Sequence, residues 1–283
     1  MLRLLLAILA ISTGAPFVRF ASVHPTVAEA VAIAALRVGL ASLLLVAAGW
    51  RELAALKAIR EWRWVVVAGA LLAVHFGSWI ASLSFTSTAA SVALVCTSPI
   101  FAALFGTLLG DRVTPREIGG IAIAAAGCAV LAGGDWRAGA DAIVGDALAL
   151  VGAASAAGYL VVGRRLRASV PLLPYLGVVN AIAAAVLVVA AFALGSTLTA
   201  LPPRFYAASA GAALIASFVG HSLLNAAVRT TPTHLVTLAV LGEPIGASLI
   251  TWAAFGEQPP LHAAIGGAIV LAGIAFGFAR RAR

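Results

Sequence analysis

Charge is scarce in this chain. Only 10% of its 283 residues are Asp, Glu, Lys or Arg, where a soluble domain carries about a quarter, so a water-soluble globular fold is excluded. Cysteine is scarcer still: Cys96 and Cys128 are the two present, both inside apolar runs where a thiol packs as a small apolar group. That excludes a disulfide framework and a thiolate metal quartet, and no metal or other cofactor is expected. The chain has no His-Glu-x-x-His and no Gly-x-Ser-x-Gly, so the hydrolase motifs are missing and a membrane-embedded enzyme built on the histidines is disfavoured. It also lacks a Gly-x-x-x-x-Gly-Lys-Ser/Thr loop, which argues against ATP-driven pumping. Alternation of apolar and polar residues is absent too, which speaks against a membrane β-barrel.

Apolar length takes the place of charge. Apolar residues make up 63% of the chain and the mean hydropathy is +1.09, so an all-α integral membrane protein is expected. Ten stretches, approximately 2–22, 27–49, 62–84, 88–109, 115–133, 142–163, 171–194, 203–226, 232–254 and 260–279, each approach the ~20 residues that cross ~30 Å of hydrocarbon as a helix. Residues 1–22 share Arg3, an apolar run and small residues near Ala21 with signal peptides. They are expected to stay in place as the first helix.

The net charge of +8 would suggest nucleic acid in a soluble chain, but its placement reads as topology. With the amino terminus inside, all basic residues except Arg19, Arg37, Arg137 and Arg204 fall at the cytoplasmic ends of the spans. The positive-inside rule then puts both termini in the cytoplasm, for which a bacterial inner membrane is the expected setting, with lipid and no nucleic acid as partner.

A five-helix pattern is written twice. Ser98-Pro99, Gly110-Asp111, Gly119-Gly120 and Gly127 return as Glu243-Pro244, Gly256-Glu257, Gly266-Gly267 and Gly273. The expected halves are 1–137 and 138–283, joined by a hinge over 134–141. An odd number of spans per copy inverts the second copy, the plan of secondary transporters, with a shared cavity near the midplane.

Ionisable groups within spans cost at least ~2.5 kcal/mol each at mid-span, so each needs a reason. His75 and His221 occupy matching positions of the two halves. Four residues on, along the same helix face, stand Trp79 and Asn225, and Ser82 follows on the first. Tyr159, Asn180 and Phe17 supply an amphipathic lining if they face inward. These residues are the candidate substrate contacts; the rival reading makes the polar ones helix-to-helix bonds and the aromatic ones packing. Glu243 and Arg37 are candidates for coupling or substrate charge recognition, and equally for a static pair with each other or, for Arg37, with Glu29. Pro99 and Pro244 are expected to kink their helices. Asp111 and Glu257, each after a glycine at a span end, are either helix caps or members of a gating ion pair.

The doubled pattern, Pro99 with Gly110-Asp111 and Glu243-Pro244 with Gly256-Glu257, each followed by a Gly-Gly and an Ala-Gly step, resembles the drug/metabolite transporter superfamily. Within it the ten-helix EamA-like exporters are most similar, over essentially the whole chain, with Gly14, Pro16 and Arg37 included. Asp111 departs from the Glu usual there. The resemblance implies two inverted repeats around a central cavity, alternating access, and efflux of amino acids or related metabolites; the aromatic lining suggests amphipathic or aromatic ones. It also admits cationic drugs, nucleosides or a lipid-linked substrate, and a channel is a further alternative. A proton is a candidate coupling ion, uncoupled flow is equally open, and the chain alone does not distinguish monomer from homodimer.

Overall fold

The computed structural model describes residues 2–22, 26–86, 88–132, 139–166, 170–256 and 258–279. Among these there is no strand. The helices in chain order are α1 (Leu2–Ile11), α2 (Gly14–Ala21), α3 (Val27–Ala48), α4 (Trp62–Ser82), α5 (Thr88–Val95), α6 (Ser98–Leu108), α7 (Pro115–Leu131), α8 (Ala140–Leu166), α9 (Leu172–Ala193), α10 (Pro203–Gly211), α11 (Ser222–Ala227), α12 (Thr233–Val240), α13 (Glu243–Phe255) and α14 (Leu261–Phe278). A π-helical stretch, Ala212–His221, joins α10 to α11, and a 3₁₀ stretch, Trp50–Ala58, follows α3. Read as continuous rods, α1–α2, α5–α6, α10–α11 and α12–α13 are single spans. Nine such segments among the described residues are long and apolar enough to cross a bilayer. The segment expected over 115–133 is the helix α7, 17 residues long, and it packs along α14.

Local sequence explains starts and stops. Thr26 and Thr114 each accept the N–H of the Glu three residues on, while Glu29 and Glu117 bond back to the threonine N–H, closing a reciprocal cap at the head of α3 and of α7. Gly110 and Gly256 adopt φ of +93° and +72°, a left-handed turn that a residue with a Cβ resists, and so end α6 and α13.

Three spans break in the middle, each just before a proline. α1 stops at Ile11 ahead of Pro16, α5 at Val95 ahead of Pro99, and α12 at Val240 ahead of Pro244. Proline has no N–H to give the carbonyl four residues back, so the carbonyls of Ser12, Val95 and Val240 lose their helical donors. The second half of the fourth span packs on the first half of the ninth, α6 on α12, so these two broken spans run antiparallel.

The core lies where α4 meets α8 and α9, and α3 meets α9. Leu45, Leu72, Ile80, Tyr175 and Leu176 are buried there. A separate seam joins α7 to α14 through glycine. A Cβ on Gly120 would stand 2.7 Å from Gly277 Cα, and one on Gly127 2.6 Å from Val270 N, so the two backbones touch directly.

Candidate functional site

The broken helices surround a central cavity of about 80 Å³. Its polar lining is Arg37, His75, Ser98, Tyr159, His221, Thr237 and Glu243; Phe76 and Trp79 add aromatic wall, and Ile11, Leu72, Val95, Ala156, Leu160, Leu224 and Val240 the aliphatic remainder. All three breaks contribute, through Ile11, Val95 with Ser98, and Val240 with Glu243. A second chamber of about 70 Å³ adjoins it, lined by Ala15, Val92, Cys96, Pro244 and Ala247 among others. Trp79, Val95, Ser98, Val240 and Glu243 border both chambers.

Arg37, on α3, is 2% exposed. Its Nε donates to Ser217 Oγ at 2.8 Å and its Nη2 reaches His221 Nε2 at 3.5 Å. The guanidinium lies 4.5 Å from the centre of the Phe76 ring, a cation–π contact strengthened by desolvation. Both side-chain partners sit on the π-helical stretch, whose widened turn aligns Ser217 and His221 on one face, a feature common at functional sites. Arg37 has no ion pair with Glu243 within 4.0 Å, and Glu29 is engaged by Thr26 in its cap. Neither static pair open in the sequence is a contact ion pair among the described residues, though Arg37 and Glu243 attract each other at longer range.

His75, on α4, donates from Nδ1 to the carbonyl of Gly152 at 2.9 Å. Its ring is parallel to that of Trp79, 6.2 Å between centroids and 6° between planes. The Trp79 Nε1–H is buried without a partner among the described residues, and Trp79 borders the cavity. The two matching histidines thus do different things: His75 braces α4 against α8, whereas His221 sits beside the buried cation.

Glu243 begins α13. Its backbone carbonyl accepts from Ser12 Oγ at 3.2 Å, tying the first break to the third, while its carboxylate has no hydrogen-bond donor among the described residues.

Three sequence candidates lie elsewhere. Ser82 is buried against Ser91, Oγ to Oγ 2.6 Å, and donates to the Trp79 carbonyl. Asn180 donates to the carbonyl of Leu176, and Asn225 to that of His221, each one turn back on its own helix. None borders the cavity. Phe17 packs against α10, where a Cβ on Gly211 would meet its ring. Asp111 does not cap α7, a role taken by Thr114; it forms an ion pair with Arg164 at the end of α8. Glu257 lies outside the described residues, as does most of the hinge over 134–141.

Several residues at the site, three that line the cavity and one that holds Arg37, carried no reading in the sequence. Phe76 and Ser217 were accessible to a helical-face argument, since Phe76 adjoins His75 and Ser217 is four residues before His221. Ser98 borders Pro99, and Thr237 carried no signal that separates it from other intramembrane hydroxyls.

The model of the EamA-like transporter family matches residues 1–133 and 143–278. Among solved structures, one crystal structure is 21% identical, with a TM-score of 0.82, covering 98% of this chain and 95% of that one; at this identity the likeness concerns the fold. No curated protein matches the chain. A family model spanning nearly all of the chain, over a bundle of broken apolar helices around a cavity, establishes a membrane transporter that belongs to the EamA-like transporter family.

Proposed function

We propose that this transporter exports amino acids or closely related small metabolites from the cytoplasm across a bacterial inner membrane. The observation that carries the reading is one small cavity holding a buried guanidinium and a carboxylate that are not paired with each other, Arg37 and Glu243, between apolar and aromatic walls. A zwitterion with an apolar side chain matches that set: its carboxylate meets Arg37 and the Trp79 N–H, its ammonium meets Glu243, and its side chain meets Phe76, Trp79 and Tyr159.

The mechanism proposed is alternating access by two inverted repeats, 1–137 and 138–283, with ten spans and both termini cytoplasmic. In this reading the end that bears the termini is held shut by the packing of α6 on α12, the Asp111–Arg164 pair and the approach of His234 Nε2 to Glu117 Oε2 at 3.5 Å. The second chamber separates α5 from α13 toward the other end. Exchange of these two arrangements moves the cavity from one face to the other. Glu243 is the residue proposed to carry a coupling proton. Uncoupled export needs no such step.

A second reading, efflux of organic amines, is favoured by one observation: Arg37 is already engaged by Ser217, His221 and Phe76, whereas the Glu243 carboxylate is not. The test is efflux from proteoliposomes preloaded with the twenty amino acids, beside vesicles preloaded with an organic cation. Selective, saturable loss of aromatic or amphipathic amino acids is expected. Loss of the cation alone establishes the second reading, and loss of neither overturns both.

A further inference from the structure

Backbone acceptors without donors gather where the fourth and ninth spans break. The carbonyl of Val95 cannot be reached by Pro99, nor that of Val240 by Pro244. The neighbouring amides turn elsewhere: Thr97 N–H goes to Leu94 at 3.0 Å, Ile100 to Thr97 at 2.9 Å, Leu241 to Leu238 at 3.2 Å and Gly242 to Ala239 at 3.1 Å. No donor among the described residues bonds the carbonyl of Val95 or of Val240. Both residues border both chambers, as do Glu243 and Ser98, whose carboxylate and hydroxyl have no hydrogen-bond donor among the described residues. Away from bulk water, an unsatisfied carbonyl costs several kcal/mol, and here two of them, with an anion and a hydroxyl, share one place.

The helix ends reinforce the imbalance. α5 and α12 approach the break from opposite directions and present their carboxyl ends, the negative poles of their dipoles. α6 and α13 leave it with proline in the first turn, so the donor-rich pole of each lacks one N–H. Arg37, the one arginine or lysine that lines the first chamber among the described residues, contacts Ser217, His221 and Phe76. Among the described residues that border both chambers, Trp79 is the one with a side-chain N–H.

We infer that the crossing of the two proline breaks is a binding site for a small monovalent cation, held by the carbonyl oxygens of Val95 and Val240, the Ser98 hydroxyl and the Glu243 carboxylate. Oxygen donors of this kind, unwound carbonyls at discontinuous helices together with a carboxylate, suit a sodium ion or a primary ammonium group. The shared chemistry is a compact hard cation; its source is either the inorganic ion or the amine of a substrate. The inference rests on the exporter reading only in placing the site on the transport path, because cation binding is measured without flux.

The test is the melting temperature of the purified full-length protein in detergent, titrated with sodium chloride or methylammonium chloride at constant ionic strength, with choline chloride as the bulky control. Saturable stabilisation by sodium or methylammonium, absent with choline, is expected. Sodium as the sole stabiliser assigns the site to an inorganic ion, and methylammonium as the sole stabiliser assigns it to a substrate amine. Glu243→Gln should weaken the apparent affinity by about tenfold or more, the loss of one charged partner. Pro244→Ala leaves the carboxylate in place but returns an N–H to the Val240 carbonyl, and should weaken it by about threefold to tenfold. Pro99→Ala should do the same from the other break, and serves if Pro244→Ala fails to fold. Identical melting in all three salts overturns the inference, as does wild-type affinity in Glu243→Gln or in the folded proline variants. Absence of amino-acid efflux from vesicles would leave these titrations standing, so the two readings fail separately.

Discussion

The α7–α14 seam and the half-helix α13 are neighbours built on opposite principles. Along the seam, a Cβ on Gly266 would stand 2.2 Å from Leu131 N and one on Gly273 2.5 Å from Ala124 N; backbone meets backbone and nothing can slide without losing contact. α13 has no buried residue along its whole length, and an open cleft of about 380 Å³ separates it from α14, bordered by Ile245, Leu249, Trp252 and Ala263. Its attachments include the contact of Ser12 Oγ with the Glu243 carbonyl, the seating of Gly246 on Ser12, where a Cβ would stand 2.3 Å from the hydroxyl oxygen, and the stacking of Arg19 over Phe255 at 5.8 Å. One region is a close-packed frame; the other, in the transport cycle proposed above, is the lever, hinged at Gly242-Glu243-Pro244 beside the cavity. Low burial of this kind is where local motion is drawn from.

Breaking the frame should have the largest effect. Gly266→Leu drives a branched side chain into the α7 backbone, and overpacking of even one methylene costs about 1–3 kcal/mol; the expected outcome is loss of folded protein on a sizing column. Next, Arg37→Met should cut both stability and transport, because it strands Ser217 and His221 in the bundle. A lower melting temperature, by the equivalent of about 1–3 kcal/mol, is expected in a thermal unfolding assay. Glu243→Gln, at the hinge, should separate the two properties: melting close to wild type, with efflux reduced by about tenfold or more and any dependence on a pH gradient abolished. Unchanged pH-gradient dependence would sink the proton role of Glu243.

The smaller effects sharpen the contrast. Asp111 and Arg164 have side chains 26% and 32% exposed, so their pair is screened and Asp111→Asn should cost only about 0–1 kcal/mol in an unfolding titration. Leu249→Ala, at a position 52% exposed on α13, should leave the melting temperature unchanged in detergent. A loss as large as that of a buried leucine would mean that α13 is packed after all.

The sequence made the membrane class, the helix positions and two of the three breaks readable, because apolar length and proline covalency act locally. Pro16 was visible too, but the break at Ser12-Thr13 lies four residues before it and was not inferred. His75, Trp79, Tyr159, His221, Arg37 and Glu243 border one cavity; matching positions of the repeats singled out the histidines with Trp79, the cost of intramembrane charge singled out Arg37 and Glu243, and Tyr159 was only a candidate if it faced inward. The orientation of Ser82, Asn180 and Asn225 did not follow. A span that is apolar on every side has little periodicity to separate a lipid-facing face from a cavity-facing one, and a hydroxyl or amide N–H can bond its own helix one turn back, as the amide N–H groups of Asn180 and Asn225 do. Nor could spacing reveal that Asp111 pairs with Arg164, since that contact depends on how far α6 and α8 converge at the end of the bundle.

The most direct test of motion at the hinge is a disulfide between α5 and α13 across the second chamber. Val92→Cys and Ala247→Cys, in a background with Cys96 and Cys128 replaced by Ala, place one thiol on each wall. Mild oxidation in proteoliposomes should form the bridge, stop efflux of the transported solute, and let reductant restore it, as alternating closure of that chamber requires. Full efflux from quantitatively bridged protein would contradict a transport cycle driven by the broken half-helices.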